Sequence, residues 1–317
     1  MRILVTGAAG FIGSTTSEML LDDGYEVVAL DNLSRGRREN VPARATFVEG
    51  DCGDMDLVAS LGAFDACVHF AARIEPADSM VTPEVFFDNN VGATFRLLRA
   101  LVENGTRKFV FSSSCAVYGD RVTIPIGEDH PTAPHSPYGL SKLMVEQGLA
   151  WFVSQGRIRA ASLRYFNAAG GTLAHPERHH PENHLIPLTL AAAAGDRSEI
   201  SIFGDDYPTV DGTCVRDYIH VSDLARAHVL AIGALDEHPS LTLNLGTGHG
   251  YSNRQIVDTV REVTGLDFNV VITARRPGDP AAAVAANQRA KDILGWTLDR
   301  SDLVTIITDA WDAYRVN

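Results

Sequence analysis

Short apolar runs alternate with helical periodicities along the first half of the chain. The runs at 2–6, 26–31, 46–49, 66–70, 108–112 and 160–164 are strand-like, and unbroken stretches such as Ile3-Leu4-Val5 suit strands buried on both faces. Between them, 12–22, 84–104 and 138–155 read as helices, the first stopped by Asp23-Gly24. Strand–helix–strand repetition at this spacing predicts βαβ units, so the six strands form an α/β, doubly wound parallel sheet. Beyond Asn167 the regularity fades into Gly170-Gly171, a His- and Pro-rich stretch to Pro187, and scattered short elements. The pattern predicts a first unit over 1–167 and a smaller C-terminal α/β lobe over 168–317. Segments near 212–223 and 241–250 again look strand-like and are expected to return to the first sheet. No internal repeat or low-complexity linker stands out, so the two lobes should share one cleft.

Composition narrows the class without changing this outline. A chain of 317 residues, 45% hydrophobic and 21% charged, has the balance of a compact globular protein rather than a disordered, collagenous or coiled-coil one. It is long enough to bury its core without disulfides or metal. With 40 acidic against 27 basic residues, its net charge of −13 disfavours nucleic acid or an anionic membrane as partner. The longest apolar run, 185–194, contains Pro187 and is half the roughly 20 residues a membrane span needs. Met1-Arg2 leads straight into a strand with no basic leader, so a cytoplasmic location is expected. Cys52, Cys67, Cys115 and Cys214 lie far apart and form no C-x-x-C, which reads as reduced thiols.

The candidate chemistry begins in the turn after the first strand. Thr6-Gly7-Ala8-Ala9-Gly10-Phe11-Ile12-Gly13 places glycines where a backbone can approach a diphosphate at a helix N-terminus. Asp31 closes the second strand, where a carboxylate accepts hydrogen bonds from an adenosine ribose and so favours NAD over NADP, although Arg35, Arg37 and Arg38 follow closely. Asp51, after the third strand, is placed to contact the adenine. Tyr138 and Lys142 stand four residues apart, on one face of a helix, in a chain with 8 Tyr and only 3 Lys. An ammonium beside a phenol favours its ionised form, which predicts a Tyr138 pKa drawn down toward neutrality and a general base for a sugar or alcohol hydroxyl. Ser112-Ser113-Ser114 ends the fifth strand, on the carboxyl edge where open α/β sheets bind ligands.

These motifs, with His69-Phe70-Ala71-Ala72, Asp88-Asn89-Asn90-Val91, Arg164-Tyr165-Phe166-Asn167, the stretch 203–209 and Val215-Arg216-Asp217-Tyr218-Ile219-His220-Val221, resemble the extended short-chain dehydrogenase/reductase family, within it the UDP-glucose 4-epimerase branch. The resemblance spans essentially the whole chain and implies a Rossmann domain binding NAD. By resemblance, Ser114, Tyr138 and Lys142 are catalytic. Gly7, Gly10, Phe11, Ile12, Gly13, Asp31, Asn32, Asp51, Cys52, Phe70, Ala71, Ala72, Asn89 and Tyr165 surround the cofactor together with Tyr138 and Lys142. Asn167, His184, Leu185, Arg216, Tyr218, Arg276 and Asp279 join Ser114 and Tyr138 in holding a UDP-hexose. The implied reaction oxidises the sugar at C4, turns the 4-keto sugar over and returns the hydride. A homodimer built from the helices at 84–104 and 138–155 is also implied, although Phe86, Phe95, Leu97 and Leu98 could equally face their own sheet.

Several positions depart from relatives. Ile74 stands where some carry a cofactor-contacting Lys, and Ala116 where some carry a Thr beside the sugar. Ala283 occupies a site that is small in members accepting N-acetylated sugars, which implies room for UDP-N-acetylhexosamines. His175, His179, His180 and His184 crowd one segment and could in principle bind zinc, but the resemblance assigns that stretch to the substrate lobe and no metal is expected. Cys115 has no evident His partner and reads as a packed thiol. The rival readings are a UDP-glucuronate 4-epimerase, a UDP-sugar decarboxylase and a non-catalytic NAD-binding regulator; a 4,6-dehydratase is disfavoured because Cys115 and Ala116 replace its acidic pair.

Overall fold

A computed structural model describes residues 1–119, 123–179, 181–276 and 278–316. The six expected strands are β1 (Arg2–Thr6), β2 (Glu26–Asp31), β3 (Thr46–Glu49), β4 (Ala66–His69), β5 (Lys108–Ser114) and β6 (Arg159–Tyr165). A seventh, Ser240–Leu245, lies beside β6, and the sheet order runs Ser240–Leu245, β6, β5, β4, β1, β2, β3 with every neighbouring pair parallel. The chain winds outward from β1 to β3 and then crosses back to β4. That reversal opens a crevice beyond the carboxyl ends of β1 and β4.

Period-two alternation within the apolar strands supplies both faces of the sheet. Ile3, Val5, Val27, Ala29, Val68 and Val110 pack with Leu20 of the Phe11–Asp22 helix and with Leu224 and Ile232 of the Val221–Ala234 helix. On the opposite face, Leu4, Val28, Cys67, Phe109 and Phe111 meet Leu97, Leu98 and Leu101 of the Thr94–Glu103 helix and Val145 and Leu149 of the Pro137–Ser154 helix. Leu97 and Leu98 are thus fully buried against their own sheet, and truncating either to Ala would cost about 2–5 kcal/mol.

The helix expected over 84–104 is a rod of three pieces: Pro83–Phe86, a wide π-helical segment Phe87–Ala93, and Thr94–Glu103. The 212–223 stretch does not return to the central sheet. Tyr218–His220 pairs instead with Asn167–Ala169, and Val215–Arg216 joins Tyr251–Ser252 and Ala282–Ala283 in a small three-stranded sheet. These strands pair with one another rather than with the edge of the central sheet, and Asn167, Arg216 and Ala283 from them line the crevice. Of the second segment, the Ser240–Leu245 strand does lie in the central sheet. The rest of the C-terminal half packs Ile186, Leu190, Ile256, Val260, Ile306 and Ile307 from three helices into a separate core. No helix among the described residues is long and apolar enough to cross a membrane.

Candidate active site

The crevice is a cleft of about 510 Å³. At its floor the glycine turn lies against the residues just after β4: a Cβ on Gly7, whose φ is +70°, would stand 2.6 Å from the Ala71 nitrogen, and one on Gly13 would stand 2.2 Å from the Gly7 oxygen. Gly10 begins the Phe11–Asp22 helix with no side chain capping it, so the helix's first N–H groups remain available to an anion. Asp31 ties this turn down. Its two oxygens accept the N–H groups of Ala9 (2.9 Å) and Leu33 (2.8 Å), and burial raises its pKa against the pull of those bonds. A carboxylate offers about four acceptor positions, which leaves capacity for a ribose diol. Asp51 accepts from Asn32 Nδ2 (3.0 Å) and the Gly53 N–H (2.7 Å), closing the far edge. Burial pushes the neighbouring Cys52 thiol up to about 12, which leaves it inert. Cradle, uncapped helix and anchored carboxylate together fit a dinucleotide.

The opposite wall comes from β5 and the Pro137–Ser154 helix. Because β5 runs two residues beyond the expected 112, its serines alternate: Ser112 and Ser114 face the cleft, while Ser113 donates to Glu146 behind it. Pro137 occupies the first turn of the helix and Ser136 caps it by accepting the Gly139 N–H (3.1 Å), setting Tyr138 and Lys142 on the cleft side. Both are buried. Lys142 Nζ donates to the Ser112 carbonyl (2.7 Å) and lies 5.9 Å from the Tyr138 ring centre.

Here the electrostatics differ from the expectation for Tyr138. Burial pushes its phenol up to about 12, opposed by a hydrogen bond with Ser114, and burial draws the Lys142 ammonium down to about 7 against the pull of Glu146. The spacing implied an ion-pair effect, whereas the dry site penalises both charges.

Residues that the sequence motifs contain, but to which no role was given, hold this wall in place. Arg164 on β6 makes a bidentate, buried pair with Glu146, one turn beyond Lys142, and reaches the Tyr118 hydroxyl (3.0 Å), which donates to Asn244 Oδ1 (2.6 Å). Asn90, in the π-helical segment, bonds both backbone groups of Arg73 and the Ser141 hydroxyl (3.0 Å), joining the loop after β4 to the Tyr138 helix. His69 bridges Thr6 (2.6 Å) and Thr94 (2.8 Å), and burial lowers its pKa to about 3.

Every cofactor-side residue singled out in the sequence lines the cleft. On the substrate side, Asn167, His184, Arg216 and Asp279 do so, and Leu185, Tyr218 and Arg276 do not. Arg216 donates to the carbonyls of Val215 and Pro280 (both 2.9 Å) and stands 3.5 Å from Asp279. Leu185 packs its side chain toward the C-terminal core, where Tyr218 is buried. Arg276 is exposed and stacks 3.8 Å over the Phe203 ring, outside the cleft. Of the arginines near Asp31, Arg35 alone lines the cleft; Arg37 faces Glu39 and Arg38 lies over Phe47. The cleft also takes in Glu177, Arg178 and His179; the sequence marks His179 only as one of a crowd of histidines, and no local pattern marks the other two.

Residues 3–246 match the family model for the NAD dependent epimerase/dehydratase family. The chain is 45% identical over 312 residues to a UDP-glucose 4-epimerase of Corynebacterium glutamicum, covering 98% of this chain and 95% of that protein. It superposes on the crystal structure of UDP-glucose 4-epimerase from Brucella ovis in complex with NAD with a TM-score of 0.95 at 44% identity, covering 99% and 98% of the two chains. A UDP-Glc/GlcNAc 4-epimerase from Campylobacter jejuni gives 0.87 at 38% identity, covering 99% of each.

Proposed function

The chain belongs to the NAD-dependent epimerase/dehydratase family, and we propose from this premise that it interconverts UDP-galactose and UDP-glucose in the cleft described above. The observation that carries the reading is the convergence of Ser114, Tyr138 and Lys142 with the Asp31-anchored glycine turn on one cavity. In this reading 1–167 holds NAD and 168–317 supplies most of the UDP-sugar contacts. Gly7, Gly10, Phe11, Ile12 and Gly13 receive the dinucleotide diphosphate. Asp31 and Asn32 take the adenosine ribose, Asp51 and Cys52 border the adenine, and Phe70, Ala71, Ala72, Asn89 and Tyr165 border the remainder.

NAD held by these residues would supply the acceptor and the donor for the hydride of the sugar's C4, and a positive charge that favours the phenolate of Tyr138. Tyr138 takes the proton of the 4-hydroxyl while Ser114 holds the oxygen by a hydrogen bond. Lys142, anchored on the Ser112 carbonyl, places positive charge beside the phenol as it ionises. The 4-keto sugar then presents its other face, and Tyr138 returns the proton to the same oxygen. Such a cycle needs a firm grip on the nucleotide and a loose one on the hexose. Arg216, fixed by two carbonyls and Asp279, offers the diphosphate a charge-assisted donor, with Asn167 nearby and His184 at the cleft margin. Purified protein given UDP-galactose without added NAD should produce UDP-glucose, and Tyr138→Phe should not; no product from the parent protein even with NAD supplied would defeat the reading.

Ala283, small and buried against the cleft, supports a second substrate class, in keeping with the Campylobacter jejuni relative's name. UDP-N-acetylgalactosamine should be turned over, and its inertness would exclude that class. Leu140, Met144 and Trp151 lie exposed along one flank of the Pro137–Ser154 helix, which supports a homodimer through that helix and its neighbour Thr94–Glu103. A light-scattering mass of one subunit would contradict it. All four cysteines are free, in keeping with the reducing cytoplasm as the compartment.

A further inference from the structure

A second cluster lies on the lobe side of the cleft, beside Phe11 of the glycine turn. Glu177, His179, Glu182 and His184 each offer one ligand atom, and these atoms lie within 4.8 Å of one another. His179 Nε2 is 3.4 Å and His184 Nδ1 is 3.6 Å from Glu177 Oε1, and His184 Nδ1 is 2.8 Å from Glu182 Oε1. A tetrahedral ion with bonds of about 2.1 Å keeps its ligands roughly 3.4 Å apart, a spacing that these three separations of 2.8–3.6 Å bracket, and the widest pair, within 4.8 Å, need close by no more than about 1.4 Å. Two imidazoles and two carboxylates form a nitrogen and oxygen donor set that suits zinc.

An independent feature points the same way. The Glu177 side chain is only 5% exposed, one oxygen faces both imidazoles, and its Oε2 has no hydrogen-bond partner among the described residues. A buried carboxylate oxygen left unpaired is costly unless a cation answers it. The surrounding loop is already wrapped about the cluster, because the Glu182 carboxylate accepts the N–H groups of His179 (3.3 Å), Asn183 (2.9 Å) and His184 (2.9 Å). The His179 ring stands edge-on to Phe11 of the glycine turn and 4.7 Å from the His184 ring.

We propose that Glu177, His179, Glu182 and His184 bind one divalent transition-metal ion, zinc by donor set, at the mouth of the cleft. The ion pins Glu177, His179, Glu182 and His184 beside Phe11 of the glycine turn. This site takes two of the histidines crowded in the sequence and adds two glutamates; His175 faces Glu18 instead, and His180 lies outside the described residues.

Full-length protein stripped with a chelator and dialysed is titrated with Zn²⁺ by calorimetry and with Co²⁺ by visible absorption. The expected result is one ion per chain, the intense d–d band of four-coordinate Co²⁺, and a tenfold or greater loss of affinity in Glu177→Gln and in His179→Ala. Failure of the parent protein to bind one equivalent, the weak band of a six-coordinate ion, or unchanged affinity in a folded His179→Ala would each overturn the proposal. If His179→Ala does not fold, Glu182→Gln takes its place, and the titration of the parent protein decides in any case.

Discussion

Lys142 is a buried ammonium whose environment works against its charge, so replacing it should stabilise the protein while crippling catalysis. Burial lowers its pKa from 10.5 to about 7, and at about 1.4 kcal/mol per unit the full cost of keeping it charged is about 5 kcal/mol. Lys142→Met keeps the volume and removes the charge. It also removes the bond to the Ser112 carbonyl, which returns about 1.5–3 kcal/mol of that gain. A net gain of about 2–3.5 kcal/mol at pH 6 follows, roughly 3–5 °C in melting temperature for a chain of this size. The sign depends on pH. Below pH 7 both states carry the proton and the native state bears the whole penalty. Between pH 7 and 10.5 only the unfolded chain holds it, so the parent protein gains stability as pH rises. Thermal melts of both proteins from pH 6 to 10.5, matched for bound cofactor, should show a gap widest at pH 6 that closes toward pH 10.5. A Lys142→Met protein less stable than its parent at pH 6, or a gap indifferent to pH, would refute the argument.

The other predictions concern the two walls of the cleft. Asp31→Ala leaves the Ala9 and Leu33 N–H groups without their acceptor, a loss of about 1–3 kcal/mol, and purified protein should carry markedly less NAD by absorbance after denaturation. Glu146→Ala strands the Arg164 guanidinium in the interior, so urea unfolding should show a loss of about 3–5 kcal/mol; a change under 1 kcal/mol would mean the pair contributes little. Arg216→Ala should raise KM for the UDP-sugar at least tenfold, whereas Arg276→Ala, which removes an exposed side chain from Phe203, should leave it within about twofold. Equal effects in the two variants would reverse the assignment of the diphosphate ligand.

How much of this was legible depended on how local the signal was. The bounds of β1, β2 and β3 follow from apolar runs ended by Gly, Asp or a turn, and the structure places them at the expected residues. β5 ran past its expected end because Ser113 and Ser114 pair with Arg164 and Tyr165, a contact between distant segments that no window on one strand contains. The Met55–Ser60 helix was missed because its six residues give no amphipathic period; Asp54, whose side chain accepts the Leu57 N–H, was its only local mark. Asp31, Tyr138 and Lys142 stood out because residue type and spacing carry their chemistry. Arg276 and Tyr218 were named by motif alone, and packing on Phe203 and in the C-terminal core decided where they went. The Tyr138 environment was misjudged for a related reason. Spacing records a neighbour's charge but not the depth of burial, and here burial outweighs it.

The central claim is that the C4 hydrogen leaves the sugar and returns to the same carbon on the opposite face. UDP-galactose deuterated at C4 should therefore be incubated in ordinary water, and the UDP-glucose formed analysed by proton NMR and mass spectrometry. The account predicts deuterium retained at C4, with turnover lost in Tyr138→Phe. Product in which solvent hydrogen has replaced the label at C4 would contradict it, because the hydrogen would then have left as a proton.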